Sequence, residues 1–194
     1  MSEAKTYRIQ AETTTYTYVY CWNAARRALR RAQEQPEGSF YFNMMAAVFA
    51  AFTVEAFLNH LGQHKMKDWK VFERKLGPRE KLLLLEEVLH FSIDLGKRPF
   101  QSLHEMLSVR DALAHGKTVT EEADRIVDNP EDESALYPEP EWKGLCSPAS
   151  VSRMVEDAEL IVRDLSSKAG SRRNPFTSPG HGSSKTSLVT GNGD

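Results

Sequence analysis

Cysteine is scarce in this chain. Cys21 and Cys146 are the only two in 194 residues, they lie far apart, and they form no CxxC pair. That argues against a disulfide framework and a Cys-rich zinc site, and it predicts a reducing, cytoplasmic setting. A surplus of one charge is missing as well. The 25 Lys+Arg against 27 Asp+Glu leave a formal charge of -2. This excludes the globally basic profile of a histone-like or ribosomal protein, though not a local basic site. No Gly-rich phosphate loop is present, neither GxGxxG nor a Walker-type GxxxxGK followed by Ser or Thr. Dinucleotide enzymes and P-loop NTPases are therefore disfavoured. The opening residues, MSEAKTYRIQ, lack an apolar h-region, so no secretory signal is expected. No internal repeat marks a solenoid.

The hydrophobic fraction, 40%, is modest for a globular chain, so part of the sequence is expected to lie outside the core. The length suits one domain with a tail. Residues 1–11 read as a polar lead-in. Thr13 to Tyr20 alternates like a strand on local propensity. Yet Val19, Trp22, Ala25, Leu29 and Ala32 keep a three-or-four spacing, which predicts one helix over about 12–35. Pro36-Glu37-Gly38 ends it. A second helix, capped by Ser39, runs to about His60. Its apolar content over Phe40–Leu61 approaches that of a membrane span. Asn43, Thr53, Glu55, Asn59 and His60 within it favour a central buried helix, and no membrane partner is expected.

A short helix is predicted within Met66–Lys75, and a third main helix over Arg79–Phe91 after Pro78. A fourth carries Phe100, Leu103, Met106, Leu107 and Leu113, with Gly116 as its stop. Residues 117–146 form an acidic, Pro-bearing connector, with a short strand or hairpin expected around Val119 and Ile126-Val127. Ser147-Pro148 opens a last helix that presents Val151, Met154, Val155, Ala158, Ile161, Val162 and Leu165 on one face. From 167 to 194, Ser, Gly, Pro and Asn prevail, and a disordered tail is expected. The fold class read from this pattern is all-α, an antiparallel bundle of four to five helices spanning 12–166 with the connector before the last helix.

One segment carries chemistry: Ser108-Val109-Arg110-Asp111-Ala112-Leu113-Ala114-His115-Gly116-Lys117. Arg110 and His115 sit five apart at a helix end. On a regular helix this offset separates them by roughly 140°. A long Arg side chain, local unwinding before Gly116 or a second protomer would be needed to bring them to one cleft. A looser match, Arg98 to His104, is set aside because Pro99 places it at a helix start.

The phrase Arg110-Asp-Ala-Leu-Ala-His115-Gly116 resembles the signature of the HEPN superfamily, in which an Arg precedes a His by four to six residues near the end of a bundle helix. Asp111 takes the place of the commoner Asn. The upstream Phe52-Thr-Val-Glu-Ala-Phe-Leu-Asn59 is similar to the family's second helix, with its Glu and following Asn. The resemblance covers about residues 12–166. It implies an all-α homodimer whose Arg and His residues line one cleft, and for active members a metal-independent endoribonuclease needing no cofactor. Arg110 and His115 are the implied catalytic pair, with Asp111, Glu55 and Asn59 as auxiliaries. It also implies a setting in toxin–antitoxin or defence systems, with an antitoxin or nucleotidyltransferase as partner.

The residue chemistry suits RNA. A histidine near neutrality moves protons at the 2′-OH nucleophile or the leaving group. A guanidinium holds the phosphate oxygens. DNA, lacking the 2′-OH, would resist. Glu55, set among apolar residues, needs a partner if buried, and Arg110 is the expected one. Arg26, Arg30 and Lys117 are candidate RNA-phosphate contacts, weighed against plain solvated faces. Lys65 to Lys81 gives a second basic run with the same two readings. His60 and His64 stand at metal-pair spacing, but no third ligand is evident, so no metal is expected. Against catalysis stand two plainer readings: a HEPN-like module that binds nucleotide, RNA or a partner protein without cleaving, and a structural dimeric bundle.

Overall fold

The computed structural model describes residues 6–116, 118–124, 126 and 137–189. Seven helices and one two-stranded sheet occur among them. Strand β1 is Thr6–Thr15 and is followed by α1, Thr17–Glu34. Next come α2 (Ser39–Lys65), α3 (Trp69–Glu73), α4 (Pro78–Leu89) and α5 (Gln101–Ala114). A short α6 (Glu141–Leu145), the long α7 (Pro148–Lys168) and β2 (Gly180–Val189) complete the chain.

Helix α2 is the centre of the bundle, packed by α1, α4, α5 and α7. Its sequence is apolar nearly all round, as a helix covered on several sides requires. Ala46, Ala47, Ala50 and Ala51 are fully buried, and α1 contributes the small Ala25, Ala28 and Ala32. Side chains this small let helix axes approach closely. α2 is the described helix long and apolar enough to span a membrane, and half of its most apolar stretch is buried inside the protein. Gly38, with φ +71°, turns the chain between α1 and α2 in a conformation costly to residues with a Cβ.

Pro78 occupies the first turn of α4. At the head of α7, the Ser147 hydroxyl accepts from the Ser150 N–H, with Pro148 just inside. α7 buries the seven residues of its predicted apolar face, Val151, Met154, Val155, Ala158, Ile161, Val162 and Leu165. Gly62 of α2 meets the indole of Trp69, which folds back from α3 and is 1% exposed.

The fold class differs from the all-α reading. β1 and β2 pair antiparallel from Thr6↔Val189 to Thr15↔Gly180. The expected polar lead-in and part of the expected tail are therefore one ribbon. Helix α1 begins at Thr17 rather than near residue 12, because Thr13–Thr15 keep the strand preference of β-branched residues. The partner strand is remote in sequence, and its Ser, Gly, Lys and Thr content carries little strand signal by itself. Within the connector, Val119 and Ile126 are exposed and outside any strand. Val127 lies outside the described residues. The helix α6 in the same connector was not expected.

A polar network centred on a buried carboxylate ties the α4–α5 loop to α7. Asp157 has no solvent exposure and accepts two-pronged hydrogen bonds from Arg98, at 3.1 and 3.0 Å from Nε and 2.7 Å from Nη2. Ser102 donates to the same carboxylate at 2.5 Å. Arg98 also pairs with Glu156 at 2.8 Å. This commits Arg98 to joining the α4–α5 loop to α7, and it accounts for a conspicuous Arg outside the Arg110 segment.

Candidate functional site

Glu55 projects from the middle of α2 toward α5, where Arg110 lies on the last turns. Arg110 Nη2 donates to Glu55 Oε2 at 3.1 Å. Arg110 Nη1 stands 2.6 Å from Asp111 Oδ1. The guanidinium thus lies between two carboxylates of unequal freedom, because Glu55 is part-buried whereas the Asp111 side chain is 55% exposed. Among the described residues the buried Nε–H of Arg110 has no hydrogen-bond partner. A third element joins the cluster. Lys81 of α4 is 3% exposed, and its Nζ lies 3.8 Å from Glu55 Oε1. Glu55 therefore gathers two cations from two helices.

The sequence placed Lys81 in a basic run read as surface. Its burial was missed because the surrounding Arg79, Glu80 and Leu83 are exposed, and one lysine among them carries no distinguishing signal. The run Leu82–Leu85 hinted at the inward face on which Lys81 also sits.

His115 is the C-cap of α5 and is exposed, its backbone N–H donating to Asp111 O at 2.9 Å. Among the described residues it makes no hydrogen bond to Arg110. Gly116 follows where a Cβ would stand 2.3 Å from the Ala112 carbonyl oxygen, so the chain leaves the helix at a point closed to side chains. Asn59, one turn beyond Glu55, has a buried Oδ1 with no partner among the described residues. Glu55, Arg110 and Asp111 are thus brought into contact, with Asn59 and His115 on the same two helices but outside that contact. Arg26 and Arg30 are exposed on α1, and the Arg26 guanidinium rests 4.7 Å from the Trp22 ring centre. Helix α1 packs on α2 and α7, so these arginines stand on a different element from Arg110. Lys117 lies outside the described residues.

The second cavity region lies at the far end of α2. His60 packs against Tyr16, Tyr18, Phe57 and His64. Burial among these rings, and next the neighbouring His64, lower its pKa from 6.5 to about 4. Among the described residues no group of three His, Cys, Asp or Glu side chains is placed to hold an ion.

No protein-family model, no curated protein and no solved structure matches this chain. Functional inference therefore rests on the motif and on the geometry above.

Proposed function

We propose that the chain is a metal-independent endoribonuclease of the HEPN type, with Arg110 and His115 as its catalytic pair. The observation that carries this reading is the Glu55–Arg110 ion pair. It fixes a guanidinium near the end of α5, from which an exposed histidine also emerges. Glu55 holds one edge of Arg110, while the more exposed Asp111 is the partner a phosphate displaces. The 2′-oxygen of the substrate attacks the adjacent phosphorus and the bond to the 5′-oxygen breaks. The products carry a 2′,3′-cyclic phosphate and a 5′-OH. The 2′-OH gives up its proton and the departing 5′-oxygen gains one; His115 handles one of these transfers and solvent the other, while Arg110 balances the charge on the non-bridging oxygens. The directions of Arg110 and His115 on a regular helix differ by roughly 140°. A homodimer completes the cleft, each protomer's His115 serving the other's Arg110 in this reading. The family setting extends the proposal to RNA substrates in defence or toxin–antitoxin systems and to an antitoxin or nucleotidyltransferase partner.

One observation favours a second reading. Arg110 is already paired with two carboxylates, which lowers its net attraction for a phosphate. A non-catalytic module that binds RNA, nucleotide or protein would keep that arrangement permanently. Incubation of the purified protein with total RNA, followed by an assay for cyclic-phosphate ends, separates the two. Cleavage is expected, and it is expected to disappear in Arg110→Ala and His115→Ala without loss of helical signal. Cleavage that survives both changes, or that requires added metal, refutes the mechanism.

A further inference from the structure

The segment between α7 and β2 does more than lead to the ribbon. It folds over the far end of α2 and closes one side of a cleft of about 1110 Å³. Tyr18 donates from its hydroxyl to Pro175 O at 2.9 Å, and Tyr16 N–H donates to Pro179 O at 2.8 Å, so this wall is pinned at its middle and at its β2 end. Phe176, buried, stacks on Trp22 with 4.3 Å between ring centres. The wall is a built part of the protein.

The chemistry of the lining is one-sided. Among the described residues its charged side chains are Lys65 and Arg173, its histidines are His60, His64 and His181, and no carboxylate lines it. Arg173 is exposed and forms no ion pair among the described residues. His64 Nδ1 donates to the His60 carbonyl oxygen at 2.8 Å, so its N–H is taken within α2 and the ring serves the cleft as a flat surface. His181 Nδ1 stands 3.1 Å from the Tyr16 hydroxyl. The rings of Tyr16, His60 and His64 supply flat surfaces beside these polar groups. A cleft whose described lining carries cations and hydroxyls but no acidic side chain favours an anion. The flat rings favour a planar group attached to it.

We propose that this cleft binds a phosphomonoester carried on a planar base: a mononucleotide, or the phosphorylated end of an RNA strand. The phosphate lies toward Lys65, Arg173 and His181, and the base lies against Tyr16 and His60. The site is separate from the Glu55–Arg110 cluster. On a regular helix, positions 60, 61 and 64 point roughly 120–180° away from position 55. The proposal therefore stands or falls independently of RNA cleavage.

The test is calorimetric titration of the full-length protein with AMP, adenosine, and an RNA tetramer bearing either a 5′-phosphate or a 5′-hydroxyl. Saturable binding of AMP, with adenosine at least tenfold weaker, supports the site and assigns it to free nucleotides. Binding of the phosphorylated tetramer alone, again at least tenfold tighter than its hydroxyl form, supports it and assigns it to RNA ends. In either case Lys65→Gln and Arg173→Ala, both at exposed positions, are expected to weaken binding at least tenfold with the helical signal unchanged. The proposal is overturned if neither phosphorylated ligand saturates, if the phosphate makes no difference, or if the two cleft variants bind like the parent.

Discussion

Replacing Glu55 by Gln removes one negative charge from a site where two cations converge. The larger effect is expected at Lys81, which is 3% exposed and has its one ion-pair contact among the described residues with Glu55, at 3.8 Å. At an effective dielectric near 20, that separation corresponds to about 4 kcal/mol of attraction. Glu55 is 28% exposed, so solvent screens part of this. A loss of about 2–3 kcal/mol is expected, at the lower side of the range for breaking a buried pair. For a chain of this length that is a fall in Tm of roughly 5–10 °C. Lys81→Met removes the other charge and leaves Glu55 still paired with Arg110, so its cost is smaller. The double variant, having no stranded ammonium, is expected to be more stable than the sum of the singles predicts, by at least about 1 kcal/mol. Urea unfolding of the four proteins measures this coupling. Additivity within about 0.5 kcal/mol would show that Glu55 and Lys81 do not stabilise each other, and the electrostatic account of the cluster would be wrong.

Two further outcomes follow from packing and titration. Gly62→Ala should gain up to about 1 kcal/mol in helix propensity, yet an added Cβ would stand 2.1 Å from the Trp69 ring. Net destabilisation of at least about 1 kcal/mol, with a red-shifted Trp emission as the indole is displaced, is expected, and a more stable variant would refute the tight contact. His60 provides a pH test. Its folded pKa, about 4, lies below the unfolded value near 6.5, so between these values the unfolded chain binds a proton that the folded chain refuses. Stability is therefore full above about pH 6.5 and declines as pH falls toward 4, by on the order of 2–3 kcal/mol from this residue. His60→Gln should flatten that part of the profile measured by urea unfolding, and an unchanged slope would remove His60 as its source.

The helical part of the fold was legible because its signals are local. Apolar spacing located α2 and α7, and Pro78 and Ser147-Pro148 marked two helix starts where the structure has them. The ribbon was not legible because each strand's partner lies more than 160 residues away, as in Thr15↔Gly180. Neither strand has a buried face to impose a strict apolar alternation. At the site, Glu55 among Val54, Ala56 and Phe57 signalled a carboxylate in need of a partner. Lys81 gave no such signal, since a buried ammonium is defined only by what surrounds it. The wall of the second cleft was hidden for a related reason. Phe176 is a single aromatic in a polar stretch, and its place between Trp22 and Tyr18 depends on the tertiary fold.

The antiparallel ribbon also determines how the protein bears load. Thr6 and Val189 are opposite each other at its outer end, and Thr15 and Gly180 are opposite each other at the bundle. Tension applied through residues 6 and 189 would act across the strands and open the ladder one pair at a time, rather than shear all its hydrogen bonds together. The ribbon would yield first and at low force, while the helices below remained folded. It is a mechanical fuse in series with the bundle, and its release would next pull on the Tyr16–Pro179 hydrogen bond at the margin of the histidine cleft.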